Sequence, residues 1–133
     1  MSYMFFGCYS LFSLDISNFN GKNTTTTQSM FENCFSLIYL NISNFNPTQI
    51  KTMKNMFYNC FELKSLDLNN FDTSITTNME KMFAGCESLI HLNINNFKTS
   101  NVTTMFNMFS GCVSLIYLNL SSFQVSKDAN YIG

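Results

Sequence analysis

At 133 residues the chain has material for one compact domain and no more. Apolar residues make up 46% and charged residues only 11%, so a core is available but the surface must be Asn, Ser and Thr rather than charge. With a net charge of −1 and no basic stripe, nothing points to nucleic acid, and no window of 18 apolar residues exists to cross a bilayer.

The opening residues, Met1-Ser2-Tyr3-Met4, have neither a basic region nor a long apolar run behind it. That reads as no secretory signal, hence an intracellular protein or a fragment of a longer one. Met1 already falls on a repeating column. Cys8, Cys34, Cys60, Cys86 and Cys112 recur every 26 residues, and no insertion or deletion breaks the register. Met4, Met30, Met56, Met82 and Met108 form a second column, followed directly by Phe5, Phe31, Phe57, Phe83 and Phe109. Met1, Met53, Met79 and Met105 share a third, with Thr27 the exception.

Within each copy, the first predicted element after the cysteine is a short strand. Leu11-x-x-Leu14-x-Ile16 alternates inward and outward positions, and the run returns at Leu37, Leu63, Leu89 and Leu115. Identical strands one repeat apart pair in parallel, roughly 4.8 Å apart. A Phe column follows at Phe19, Phe45, Phe71, Phe97 and Phe123. The Thr-rich stretches, Thr24 to Thr27 and Thr99 to Thr104, are then structured returns rather than linkers. Met79, Met82 and Phe83 at i, i+3 and i+4 predict one or two helical turns with an apolar inner face. Gly7, Asn33, Asn59, Gly85 and Gly111 close that segment, the residue types that enter the left-handed region most readily. One such coil cannot bury its apolar face alone, so neighbours must stack. The expectation is an α/β leucine-rich-repeat solenoid of five 26-residue coils. It has a parallel β-sheet on the concave face and short helices on the convex face. A plain parallel β-helix is the rival; the Met/Phe spacing favours helices. The whole of 1–133 is one domain, with repeats starting near 4, 30, 56, 82 and 108, and 124–133 an irregular tail or partial cap. An uncapped stack exposes an edge, so end-to-end self-association, or further repeats, is expected.

The run from Met82 to Phe97, Met-Phe-Ala-Gly-Cys-Glu-Ser-Leu-Ile-His-Leu-Asn-Ile-Asn-Asn-Phe, resembles the BspA-like leucine-rich repeats. More narrowly, it is similar to the variant found in mycoplasma-type surface lipoproteins, and Lys98 to Met105 fits the same pattern. The resemblance covers about residues 1 to 123. It implies a right-handed solenoid exposed at the cell surface or outside the cell, adhesive in role, with no enzyme activity, no cofactor and no defined ligand. An aromatic column, Phe19 to Phe123, stands where ordinary leucine-rich repeats carry Asn, as is typical of this variant.

The cysteines lie too far apart in sequence for zinc pairs and share one direction, so they read as buried free thiols. His91 is the single histidine, one rung from Asp67, and reads as part of a solvated surface pair. Asp15, Asn41, Asp67, Asn93 and Asn119 form an outward column whose amides bond along the stack in preference to binding calcium. The neighbouring outward column is Ser13, Tyr39, Ser65, His91 and Tyr117. Tyr39, His91 and Tyr117, flanked by Asn41, Asp67, Asn93 and Asn119, are the expected contact residues for a protein or cell-surface ligand. The sequons at Asn23, Asn41, Asn101 and Asn119 read as chance in so Asn-rich a chain. Three readings stay open: an adhesin-like interaction module, a self-stacking structural element, and an intracellular or virus-encoded scaffold.

Overall fold

The structure, a computed structural model, describes residues 1–124. The capping role expected for the tail therefore lies outside the described residues. Each L-x-x-L-x-(I/L) run gives a three-residue strand: β1 (Ser13–Asp15), β2 (Tyr39–Asn41), β3 (Ser65–Asp67) and β4 (His91–Asn93). β1 pairs in parallel with β2, setting Leu14 opposite Leu40, and β3 pairs with β4, setting Leu66 opposite Leu92. Residue 117 of the next copy bridges His91 in parallel. The register is one repeat, as the columns require. The chain is a repeat solenoid in which chemically identical positions lie above one another.

The opposite side differs from the expectation. No helix is present among the described residues; the Met/Phe segments are chains of turns. Their backbone donors explain why. Ser29, Phe31 and Asn33 give their N–H groups to Lys54, Met56 and Tyr58 of the next copy, at 2.8–2.9 Å. Met30, Glu32 and Cys34 give theirs three residues back, to Thr27, Ser29 and Phe31, at 3.1–3.3 Å. An α-helix would spend every N–H on the carbonyl four residues back. Here every second one is spent on the neighbouring rung. The expected left-handed column holds, with φ between +59° and +76° at Gly7, Asn33, Asn59, Gly85 and Gly111. A second left-handed column lies four residues earlier, at Tyr3, Ser29, Asn55, Lys81 and Asn107. Two such residues within five positions prevent helical continuation. Parallel bridges run unbroken along this side, Thr26 to Thr52 to Asn78 to Thr104. On this side the molecule lies nearer the β-helix rival.

The core is made of ladders. Phe5, Phe31, Phe57, Phe83 and Phe109 stack face to face, with centroids 5.4–5.7 Å apart and ring planes within 6°. Met, Leu and Ile columns fill the space around them, and Phe45, Phe71 and Phe97 close the far side. The Thr-rich returns are structured: Thr24, Thr27, Thr73, Thr76 and Thr99 are buried. The Thr73 hydroxyl accepts from the Lys98 N–H at 2.8 Å and donates to its carbonyl at 3.0 Å, and Thr99 does the same for Gln124.

Candidate binding face

The strand side is interrupted at one point. β2 and β3 are consecutive in the stack but do not pair, so the sheet is split into two two-stranded parts. The Asn70 side chain spans this junction, donating to the carbonyls of Ile42, Ser43 and Phe45 at 3.2, 3.2 and 2.8 Å. An open depression of about 380 Å³ lies here, with Tyr39, Ser65, Asp67, His91, Asn93 and Tyr117 in its lining. Period-two alternation places Tyr39, Ser65 and His91 outward while Leu40, Leu66 and Leu92 point into the core. Tyr39 and Tyr117 are 57% and 71% exposed, more than a ring used only to cover a core would be.

The flanking column has a local duty that the sequence reading did not assign. The side-chain oxygens of Asp15, Asn41, Asp67, Asn93 and Asn119 each accept the N–H two residues ahead, at 2.8–3.4 Å. Each closes an Asx-turn that ends the strand and sends the chain toward the Phe column. The signal was present, since Asp or Asn at a strand end with Ser or Asn two residues on is a turn signature. The expected bonding along the stack occurs in alternate pairs: the Asn41 amide donates to Asp15 and the Asn93 amide to Asp67, each at 3.0 Å. The Asp15 carboxyl sits below its usual range, held chiefly by the Ser17 side chain, then by the Ser17 N–H and Asn41.

Asp67 and His91 share the depression without forming an ion pair; among the described residues the one salt bridge is Lys54–Glu80, at 2.9 Å. Ser65 stands directly opposite His91 in the register. No hydrogen bond joins any two of the Ser65, Asp67 and His91 side chains, which a nucleophile, base and orienting acid would need. Among the described residues no three His, Cys, Asp or Glu side chains converge on a metal position. Of the sequon asparagines, Asn41 is engaged with Asp15 and Asn101 donates to the Ser74 carbonyl at 2.7 Å, while Asn23 is exposed on a turn.

The thiols are free, and Cys34, Cys60 and Cys86 are buried. They do more than fill space. Cys34, Cys60, Cys86 and Cys112 donate S–H to the carbonyls of Phe5, Phe31, Phe57 and Phe83 of the preceding rung, at 3.1–3.2 Å. Each of those carbonyls also takes the N–H of its own rung's cysteine, so both lone pairs are used. Burial pushes the Cys34 and Cys112 thiols up to about 11 and holds Cys60 and Cys86 higher still.

Parallel rungs of one length, stacked Leu and Phe ladders and an outward aromatic column define a leucine-rich-repeat solenoid. The chain belongs to the family described as "Mycoplasma protein of unknown function, DUF285", whose profile matches residues 1–39 and 37–132. This bears out the BspA-like resemblance carried by the repeat motif. No curated protein matches. Among solved structures, the chain is similar to a leucine rich cell surface protein of Faecalibacterium prausnitzii A2-165. The two are 23% identical with a TM-score of 0.55, over 99% of this chain and 28% of that one. It is also similar to a leucine-rich repeat protein of Eubacterium ventriosum ATCC 27560, 21% identical with a TM-score of 0.55, over 96% of this chain and 30% of that one. The chain thus spans less than a third of either. At these identities the likeness is one of fold.

Proposed function

We propose that the chain is a non-catalytic protein-interaction module of a cell-surface protein, and that its partner rests on the concave strand face. One observation carries the reading. The outward column holds large, exposed rings at Tyr39 and Tyr117 around an open depression, and the fold makes no use of them in its core. Tyr is stiff and amphipathic, so it contributes contact area at low entropic cost. Tyr39, His91 and Tyr117 make the contacts. Asn41, Asp67, Asn93 and Asn119 form a preorganised polar border, since their Asx-turns fix their side chains before any partner arrives. The surface location is supported by the name of the Faecalibacterium relative, a leucine rich cell surface protein.

The test has two arms. Protease treatment of intact source cells should release peptides of this repeat, identified by mass spectrometry. Beads coated with the purified chain should attach to cultured cells, and the triple variant Tyr39→Ser, His91→Ser, Tyr117→Ser should lose attachment while melting like the parent. Release only after lysis would favour an intracellular scaffold. Attachment unchanged by the triple variant would remove the concave face from the function.

A further inference from the structure

The depression has a shape and a charge that together select a kind of partner group. In this protein, aromatic side chains on adjacent rungs stack with centroids 5.0–5.7 Å apart. In the outward column the small Ser65 stands between Tyr39 on one side and His91 on the other, and all three line the depression. The two rings stand two rungs apart, whereas the stacked rings elsewhere in the molecule are one rung apart. With only the Ser65 side chain between them, the two rings flank an open slot in the depression. The slot lies over the junction where β2 and β3 do not pair, so nothing in the sheet draws its walls together.

The lining carries one carboxylate, Asp67, and no Lys. Its Oδ1 accepts the Asn69 N–H at 2.9 Å and its Oδ2 accepts the Asn93 amide at 3.0 Å. A carboxylate offers about four acceptor positions, so one on each oxygen remains open. These two hydrogen bonds also fix the carboxylate's orientation.

The geometry points to an arginine side chain of a partner protein as the occupant of this slot, its guanidinium stacked between Tyr39 and His91 and donating to Asp67. This rests on the concave-face reading above. A guanidinium is flat, stacks on aromatic faces and presents a fork of donors that matches a carboxylate. A lysine ammonium would pair with Asp67 but leave the ring faces uncovered. A phenyl ring would fill the slot but cover the carboxylate without a partner, at a desolvation cost.

The repeat supplies its own conservative variants. Asn occupies the Asp67 position in three other copies, and Tyr occupies the Ser65 position in two. Asp67→Asn therefore keeps the Asx-turn and removes the charge; Ser65→Tyr fills the slot with a side chain the column already accepts. The probe is the peptide acetyl-Gly-Arg-Gly-amide, against its citrulline counterpart, which has the same shape and no charge. His91 is the single histidine, so its ring protons are an unambiguous NMR reporter. The arginine peptide should shift them saturably. The citrulline peptide, and the arginine peptide with Asp67→Asn, should bind about tenfold more weakly or worse. Ser65→Tyr should abolish the response. Equal binding of the two peptides, or binding unaffected by Asp67→Asn, would overturn the inference. If the arginine peptide fails while the triple variant still loses cell attachment, the arginine assignment falls and the face reading stands. If the triple variant attaches normally, the face reading itself falls.

Discussion

Substituting Lys81 separates the turn geometry from the helix that the Met/Phe spacing suggests, because the two predict opposite signs. Lys81 has φ +52° in the second left-handed column. Lys81→Ala and Lys81→Gly both remove its one aromatic contact, Nζ at 5.9 Å from the Tyr58 ring centre, so that loss cancels between them. What remains is the backbone. A Cβ in the left-handed region costs about 1–2 kcal/mol. Glycine gives up roughly 0.4–1 kcal/mol of this through the greater freedom of its unfolded chain. The Gly variant should therefore be the more stable by about 0.5–1 kcal/mol. In a helix the order reverses, with Ala ahead by about 1 kcal/mol. For a domain of this size the expected gap is roughly 2–4 °C in melting temperature. Thermal melts followed by circular dichroism, with urea titrations as a second measure, decide it. An Ala variant that outlasts the Gly variant refutes the account of this segment as inter-rung turns.

Phe57 is fully buried and stacked on both Phe31 and Phe83, whereas Phe109 is half-buried and, among the described residues, stacks on Phe83 alone. Phe57→Ala should cost about 3–5 kcal/mol and Phe109→Ala clearly less, measured by urea unfolding; equal costs would contradict the ladder. Gly85 has φ +76°, and a Cβ there would lie 3.3 Å from the Asn59 backbone Cα and 2.6 Å from its Oδ1, which must swing aside, while a Cβ at Gly111 meets backbone atoms of Gly85 at 3.4 and 3.5 Å. Gly85→Asn should thus destabilise more than Gly111→Asn, although Asn already occupies this column twice; the melting temperatures test the order. The thiols set a pH limit. With folded values raised from 9.0 to about 11 at Cys34 and Cys112, the native state keeps protons that the unfolded chain releases. Their stabilisation is complete below about 9 and lost as pH rises through 11, so the urea midpoint should fall across that window. A midpoint that does not fall across it would show that the thiol ladder is not buried as described. Under native conditions at pH 8, Cys60 and Cys86 should resist alkylation until urea exposes them.

Much of this molecule follows from its columns. The 26-residue period sets the register, because residues of one kind must stack once a single coil cannot bury its own apolar face. Period-two alternation around Leu40, Leu66 and Leu92 assigns the faces of the strands, so the outward positions of Tyr39, His91 and Tyr117 were legible without coordinates. Glycine and asparagine alone at position 7 and its repeats declare a left-handed backbone. The i, i+3, i+4 spacing of Met79, Met82 and Phe83 is where that logic fails. It states which side chains face inward, and both a helix and a stack of turns satisfy it. The choice depends on where the backbone N–H groups find acceptors, and only stacking places the neighbouring rung's carbonyls within reach. The same holds for the thiol bonds to Phe carbonyls, for the second left-handed column, in which Tyr3, Ser29 and Lys81 carry no shared chemical signal, and for the split between β2 and β3. Each depends on distances between rungs, a quantity that no single repeat contains.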